Sequence, residues 1–249
     1  MENFIHIENN FGWLLGTFDN NQKHQHYALQ ISIPITGPIW IETTSQTIET
    51  LHPVLLKPNL SHKVVSKNHQ LLILLNPAST IGHTWKSTIK NEMEELKNGA
   101  VKNLQSFLVQ KESLLDPSHL KGEIEQAILS FDCSCHHHLH EADHRINQAL
   151  EYLENNSQRV IPAEETANHC NLSTSRFLHI FKEQTGLTYR RAQLWTKLLK
   201  ALPLLKSFNL TETAHEAGFA DSAHFSRTFR ENFGFSPHEI LKLSQFIQV

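Results

Sequence analysis

A short segment near the middle of the chain concentrates side chains that bind soft and borderline metal ions. Between residues 133 and 140, six of the eight residues are cysteine or histidine: Cys133, Cys135, His136, His137, His138 and His140. Thiolate and imidazole groups at this spacing suit Cu(I), Zn or a similar transition metal. A solvated histidine-rich linker is the other interpretation, because a flexible polar connection needs no ligand chemistry. Metal ligation here would change the coupling between the two parts of the chain that flank the segment.

A second histidine pair, His24 and His26, stands directly before a run of alternating apolar residues. The His-x-His spacing resembles the histidine pair of cupin metal sites. The glutamate and the third histidine of such sites are not evident around it at matching spacing. The pair is therefore interpreted first as surface or effector-pocket histidines, with a metal site as the alternative.

The strongest feature of the sequence is a repeat. The segment from Phe181 to Thr188 recurs, with similar residues, from Phe229 to Ser236, a spacing of 48 residues. The same pattern leads into each copy: a small alanine, an apolar residue five positions later, and two phenylalanines four residues apart, of which the second begins the copy. These residues are Ala167, Leu172, Phe177 and Phe181 in the first copy and Ala214, Phe219, Phe225 and Phe229 in the second. The alanine lets two helices approach closely, and the aromatic pair holds the second helix on the first. This pattern predicts two helix-turn-helix units, which can address two successive major-groove segments about 34 Å apart on one face of a duplex.

Polar residues on the second helix of each unit are the candidate DNA contacts. The first unit offers Ser173, Ser175, Arg176, His179 and Lys182, and the second offers Ser222, His224, Ser226, Arg227 and Arg230. Each set lies on the helix face opposite the aromatic anchors. Arg227 is the best single candidate for base readout because its guanidinium can bind a guanine edge through two hydrogen bonds. Backbone amides at the helix starts near Ser173 and Asp221 could bind phosphates.

The charge distribution agrees with a DNA-binding role for the second part of the chain only. The net charge of the whole chain is −3, but residues 1–142 carry −4 and residues 143–249 carry +1. The seven arginines all lie in the second part: Arg145, Arg159, Arg176, Arg190, Arg191, Arg227 and Arg230. A weak positive charge predicts modest non-specific affinity for DNA, not an absence of binding.

The elements that must position these residues differ between the two parts. Alternating apolar residues from Tyr27 to Ile35 and again at Ile39 and Ile41 predict a β-hairpin, and short apolar runs at residues 54–56 and 71–75 predict further strands. Together these strands predict a small antiparallel barrel or sandwich. From about Thr80, apolar residues recur every three or four positions, first at Trp85, Ile89, Met93 and Leu96, then over 101–108 and 120–131. Those stripes predict amphipathic helices that either pack on the barrel or form a dimer interface.

The segment from Asp143 to about Lys242 resembles the DNA-binding domain of AraC/XylS-type transcription regulators. The matching positions include Phe177, Phe181-Lys182, Gly186 and Thr188 in the first unit, Leu198, Ala201 and Leu204-Leu205 between the units, and Ala214, Gly218-Phe219, Asp221, Phe225, Arg227, Phe229-Arg230, Gly234 and Ser236-Pro237 in the second. The resemblance implies seven helices and a footprint on two adjacent major grooves of double-stranded DNA. Departures from the family pattern are His179 and Lys197 for arginine, Tyr189 for proline, Thr213 for isoleucine and Ala223 for serine.

These observations predict an α+β chain of two domains. Residues 1–80 form a small antiparallel, cupin-like β-barrel that senses an effector, residues 81–132 are helical and mediate dimerisation, residues 133–142 are a His/Cys-rich linker, and residues 143–249 form an all-α domain with two helix-turn-helix units. The predicted function is a sequence-specific transcription regulator that acts as a homodimer, binds RNA polymerase if it is an activator, and responds to an effector or to Cu or Zn. The alternatives are a β-barrel metalloenzyme or DNA-repair protein carrying the same DNA-binding module, and a protein that binds only other proteins.

The compartment follows from two further observations. Three cysteines cannot all pair within one chain, which favours a reducing, cytoplasmic setting. The first residues lack a signal-peptide pattern, and the longest apolar run, residues 71–75, is too short to span a bilayer. We therefore expect no membrane partner.

Overall fold

The structure is a computed structural model that describes residues 3–8, 10–77, 79–97, 99–111, 117–130 and 144–248. The chain divides into two compact units. Unit 1 comprises Met1–Cys133 together with Arg230–Val249, and unit 2 comprises Ser134–Phe229. The last twenty residues therefore cluster with the N-terminal part of the chain and not with the helices that precede them.

Unit 1 is built on an antiparallel sheet. Its strands before residue 100 are β1 (Asn3–Ile7), β2 (Phe11–Phe18), β3 (Leu29–Pro34), β4 (Ile39–Glu42), β5 (Thr47–Thr50), β6 (Val54–Leu56), β7 (Lys63–Leu75) and β8 (Met93–Glu95). The long strand β7 is central, because its first residues pair with β4 and its later residues pair with both β2 and β3. One strand thereby joins two layers of the barrel-like fold.

The two faces of this sheet bury different chemistry. Odd-numbered residues of β3 and of the second half of β7 (Leu71, Ile73 and Leu75) are apolar and join the main core. Helices α1 (Thr80–Thr88), α2 (Gly99–Gln110) and α3 (Pro117–Leu129) pack against this core. Even-numbered residues of the same strands face the other way, and four of them are fully buried polar side chains: Gln30, Ser32, Ser66 and Gln70. The alternation of period two predicted the first face, and a few buried polar groups on the second face can orient a bound ligand.

The predicted helix through Met93 and Leu96 is wrong. Helix α1 ends at Thr88, and β8 then pairs with β6, with Met93 opposite Leu56. Met93 is buried in a second apolar cluster with Ile39, Ile41 and Val64. Ile89 and Met93 are four residues apart, a spacing typical of a helix. The chain leaves the helix between them, so that Ile89 caps α1 and Met93 begins a strand.

The apolar faces of α2 and α3 pack against other residues of the same chain. Val101, Leu104, Leu108, Ile124 and Ile128 are buried in the main core. The number of apolar stripes, which suggested a dimer interface, is therefore explained by packing on the sheet.

Unit 2 and the end of the chain contain seven helices in the described part. They are α4 (His144–Asn155), α5 (Ala163–His169), α6 (Thr174–Thr185), α7 (Tyr189–Leu204), α8 (Leu210–Glu216), α9 (Ser222–Phe233) and α10 (Pro237–Leu243). Pro203 lies in the last turn of α7, which ends at Leu204. A proline has no backbone N–H to donate within a helix, so it is tolerated best near a helix end. None of the described helices is long and apolar enough to cross a membrane.

A strand that the sequence did not predict follows α10. This strand, β9 (Ser244–Gln248), pairs in parallel with β1 at the edge of the unit 1 sheet. The C-terminal part of the chain is thus not entirely helical.

Candidate nucleic-acid interface and histidine cluster

The first helix-turn-helix unit consists of α5 and α6. Asn171 adopts a left-handed conformation (φ 55°), and the amide of Leu172 then donates a 2.9 Å hydrogen bond to the carbonyl of Ala167. Ala167 has no exposed surface, which allows the close helix approach that the sequence predicted. Phe177 and Phe181 are also fully buried, with ring centroids 5.4 Å apart.

The second unit, α8 and α9, repeats this geometry. Gly218 takes the left-handed position (φ 78°), and the amide of Phe219 donates a 2.8 Å hydrogen bond to the carbonyl of Ala214. Phe225 and Phe229 are fully buried. The same backbone bond closes both turns, so the repeat in the sequence corresponds to a repeat in structure.

Two departures from the family pattern have local explanations. Lys197 is buried, and its Nζ donates a hydrogen bond to the carbonyl of Gly218, so it supports the turn of the second unit. Burial lowers the pKa of the Lys197 ammonium group. Tyr189 packs edge-on against Phe177 and Phe181, and its hydroxyl lies 2.6 Å from the hydroxyl of Thr166. Tyr189 therefore closes the core of the first unit.

The structure places the predicted DNA contacts on the outer faces of α6 and α9, with differences in exposure. Seven are exposed: Ser173, Ser175, Arg176, His179, Lys182, Arg227 and Arg230. Three are half-buried: Ser222, His224 and Ser226. The ring of His224 packs edge-on against Phe219, so this side chain stabilises the turn between α8 and α9 and is only partly available at the surface.

The starts of α6 and α9 are each capped by a side chain. The hydroxyl of Ser173 accepts a 3.4 Å hydrogen bond from the amide of Arg176, and the carboxylate of Asp221 accepts a 2.6 Å bond from the amide of His224. That bond lowers the pKa of Asp221. The capping side chains are engaged within the protein, so a phosphate here would bind the remaining amides of the first turn.

The predicted effector histidines belong to a larger cluster in unit 1. His24, His26 and His62 are all buried, and their candidate ligand nitrogens lie within 4.8 Å of one another. His62 stands just before β7 and is brought to the pair by an isolated antiparallel bridge with His24, with two backbone hydrogen bonds of 2.9 Å. This third histidine was not predicted from the sequence, because a spacing of 36 residues from His26 indicates no contact until strand pairing is known.

The backbone fixes the orientation of all three rings. Each ring donates its Nδ1–H to a carbonyl two residues away, at 2.9 Å for His24, 3.0 Å for His26 and 2.8 Å for His62. In a neutral imidazole the other nitrogen, Nε2, then carries the lone pair. This arrangement of a fixed tautomer with Nε2 directed inward is the one that protein metal sites use.

Burial keeps these rings neutral. It lowers the pKa of His24 to about 3, with the neighbouring His26 adding to the effect. Burial also lowers the pKa of His26, and it lowers that of His62 well below the ordinary value. Neutral imidazoles are the form that binds metal ions.

The fourth side chain at the cluster is an amide. The Oε1 atom of Gln30 lies 2.9 Å from Nε2 of His26 and 3.1 Å from Nε2 of His62, and its Nε2 donates to Ser32. Two lone pairs and an amide oxygen therefore face one another, which a cation between them would satisfy. Rotation of the amide satisfies the same groups without an ion, because the NH₂ can then donate to both rings.

The Cys133, Cys135, His136, His137, His138 and His140 segment lies outside the described residues. The third cysteine, Cys170, is buried, and its Sγ donates to the carbonyl of Arg145.

Comparison with known proteins supports the C-terminal assignment. Residues 166–242 match the family model described as a helix-turn-helix domain. Over 100 residues the chain is 40% identical to the transcriptional activator RhaS of Klebsiella pneumoniae and 38% identical to RhaS of Citrobacter koseri. The match covers 39% of this chain and 36% of each relative. The chain thus spans little more than a third of the length of these curated relatives.

Comparison with solved structures covers more of the chain. ToxT from Vibrio cholerae O395 matches with a TM-score of 0.59 at 12% identity, over 96% of this chain and 99% of that one. ToxT in an unsaturated fatty acid bound form matches with a TM-score of 0.56 at 13% identity, over 97% of this chain and 98% of that one. At these identities the likeness concerns the fold, and it agrees with the predicted combination of an N-terminal sheet domain and a C-terminal helical domain.

Proposed function

We propose that this chain, an AraC/XylS-type regulator by its helix-turn-helix segment, is a sequence-specific transcription regulator and not an enzyme. The observation that carries the proposal is the repeat of one reading geometry. Helices α6 and α9 each have buried phenylalanines on one face and exposed polar or basic residues on the other. Two such helices on one chain can read two adjacent major grooves.

Within this function the side chains have different roles. Arg227 reads a base edge, and Arg230 and Lys182 bind phosphates or bases beside it. His179 occupies the position in the first unit that corresponds to Arg227, and a neutral histidine lacks the paired donors of an arginine. The first unit therefore contributes more to positioning and less to discrimination.

Unit 1 is proposed to bind the effector. The support is the buried polar face of its sheet, with Gln30, Ser32 and Gln70, and the three buried histidines beside it. The response to Cu or Zn through the Cys/His segment of residues 133–140 stays a prediction from the sequence. We further propose that the regulator acts in the cytoplasm and, like the RhaS relatives by their name, as an activator, in which case RNA polymerase is a partner.

Self-association is a separate proposal. The buried stripes of α2 and α3 no longer argue for it, but Val109 and Leu129 are exposed by 42% and 56% on these helices. A homodimer would cover them. Sedimentation at micromolar concentration should show a dimer for the full chain, and Leu129→Glu should shift it to monomer; a wild-type protein that sediments as a monomer with and without DNA would refute the dimer.

The test of the proposed function begins with selection of bound fragments from genomic DNA. Purified full-length protein should enrich specific sites, and Arg227→Ala should lose that specificity while keeping the circular dichroism of the wild type. Arg190→Ala is the matched control, because it removes the same charge from an exposed position at the start of α7, outside both reading helices. If wild-type protein enriches no sequence, or if Arg190→Ala and Arg227→Ala lose binding equally, the proposed reading role is wrong.

A further inference from the structure

The last turn of α9 and the glycine that follows it are hydrogen-bonded to the loop that carries the first two histidines. Both segments belong to unit 1. The amide of Gln22 donates a 3.0 Å bond to the carbonyl of Gly234, and the amide of Gln25 donates a 3.0 Å bond to the carbonyl of Glu231. The residues between these two amides include His24, so the histidine loop and the end of the second reading helix share backbone bonds.

The contact is close enough to exclude a side chain. Gly234 is buried and has a left-handed conformation (φ +75°). A Cβ atom at this position would overlap the side chain of Asn21 and would lie 2.7 Å from both the carbonyl oxygen of Gln22 and Nδ1 of His24. The imidazole of His24 therefore lies directly against the turn, and the adjacent Phe235 packs with its ring centroid 6.1 Å from that of Phe18.

The inner side of the same ring faces the other two histidines. Ring centroids are 4.4 Å apart for His24 and His62, 5.4 Å for His24 and His26, and 5.0 Å for His26 and His62. Zn–N bonds of about 2.0–2.1 Å in tetrahedral geometry place ligand nitrogens roughly 3.3 Å apart. The cluster therefore needs only small ring movements to enclose an ion, with Gln30 Oε1, which already faces Nε2 of His26 and His62, as a fourth ligand.

We propose that His24, His26 and His62 bind one divalent transition-metal ion of the zinc type, and that the ion fixes the Asn21–His26 loop beneath the turn at Glu231–Gly234. Imidazole with one amide oxygen is a ligand set suited to Zn and its neighbours in the first transition row. The consequence for DNA rests on the proposed function, since α9 is the second reading helix. An ion that orders the loop also orders the end of that helix, so metal and DNA affinity are coupled.

His24 transmits the effect because it has two bonded sides. Its Nδ1–H donates to the carbonyl of Gln22, whose own amide donates to Gly234. Ligation at Nε2 makes the Nδ1–H a stronger donor and holds the ring in one orientation. The metal-free protein can satisfy the same groups through the amide of Gln30, so both states are stable and the ion selects between them.

The first measurement uses metal alone on untagged full-length protein. Cys133→Ser and Cys135→Ser form the background, so that thiolates do not compete for the ion. Equilibrium dialysis with Zn²⁺ should give one equivalent more for this protein than for the same protein with His62→Gln, and His26→Gln should lose the same equivalent. His238→Gln, an exposed histidine on α10, is the matched control and should lose none. Circular dichroism checks that each variant folds, and Co²⁺ in place of Zn²⁺ should show ligand-field bands without sulfur-to-metal charge transfer.

The second measurement is hydrogen exchange without DNA. Zn²⁺ in excess should slow exchange of the Gln22 and Gln25 amides by roughly tenfold or more, because a ligand that binds the ordered state suppresses local opening. His62→Gln should remove this protection. Equal zinc content in His62→Gln and His238→Gln would overturn the metal site, and zinc binding without protection of these amides would overturn the coupling.

DNA binding is measured last, so that the two proposals fail separately. Zn²⁺ should change operator affinity by about fivefold or more in the protein with all three histidines and not in His62→Gln. A protein that binds zinc and gains protection but binds no specific DNA would refute the proposed function and leave the metal site standing. Zinc binding with unchanged operator affinity would refute the regulatory coupling.

Discussion

The glycines that end α6 and α9 have the same backbone conformation and different surroundings. Gly186 has φ +77° and Gly234 has φ +75°. A Cβ built on Gly186 meets no described atom within 4 Å, whereas one on Gly234 meets Asn21, Gln22 and His24. Helices commonly end at a residue in the left-handed conformation, which glycine adopts without strain, and this local rule explains Gly186 completely. Gly234 follows the same rule and also makes a tertiary contact, so the two copies of the repeat differ in the packing around their terminal glycine.

The largest effect should come from filling that contact. Gly186→Ala should lower the free energy of unfolding by about 1–2 kcal/mol, the cost of a left-handed alanine. Gly234→Ala should cost this amount plus roughly 1–3 kcal/mol, because the backbone around Gln22 must move to admit the methyl group. Urea unfolding of both full-length variants measures the difference, and equal midpoints for the two would show that the tight packing at Gly234 is not present in solution.

A smaller effect on binding should separate the two reading helices. Arg227→Ala should weaken specific DNA binding by about 1–3 kcal/mol, the value of one good base contact, and His179→Ala should weaken it less. Titration of a selected operator at fixed salt measures both. A loss for His179→Ala that equals or exceeds the loss for Arg227→Ala would reverse the assignment of the two helices.

The first unit should depend on a bond that the second lacks. Tyr189→Phe removes the hydroxyl that lies 2.6 Å from Thr166 and should cost about 1 kcal/mol of stability. The residue 48 positions later is Pro237, so the second unit has no counterpart of this bond. Tyr152→Phe is the control, since its hydroxyl donates to a surface carboxylate, that of Glu165, and should cost less. Thermal unfolding of both variants tests the order.

The smallest effect should be an acid sensitivity of the first unit. Hydrogen bonds from Arg159 and then Tyr152 lower the pKa of Glu165 to about 2. Because the folded pKa lies below the unfolded one, this carboxylate stabilises the protein above the unfolded pKa and loses that contribution as the pH falls toward 2. The group is on the surface, so the contribution is small. Glu165→Gln should therefore unfold more easily than wild type at pH 6 and equally at pH 2, and a gap that is constant between these values would contradict the shift.

The helix-turn-helix units were predictable from the sequence because their determinants are local. The alanine, the turn residue and the phenylalanine pair lie within twenty residues of one another, and the repeat shows them twice. The comparisons with the helix-turn-helix family model, RhaS and ToxT confirmed the fold class and the resemblance to AraC/XylS-type regulators. The roles of the individual DNA-facing residues stay predictions.

The parts that the sequence did not predict depend on strand pairing. His62 joins His24 only through an antiparallel bridge, and β9 pairs with β1 across almost the whole length of the chain. Met93 was assigned to a helix because its spacing from Ile89 fits one, but its partner is Leu56 in β6. Register between distant strands is set by packing of whole faces, which no single spacing in the sequence records.

Guanine methylation interference on a selected operator tests most directly whether the two helices read DNA as separate units. Methylation of N7 blocks contacts in the major groove, so wild-type protein should show two groups of sensitive guanines about one helical turn apart. Arg227→Ala should lose sensitivity in one group and retain it in the other. A single group for wild-type protein, or equal loss of both groups in Arg227→Ala, would contradict the account.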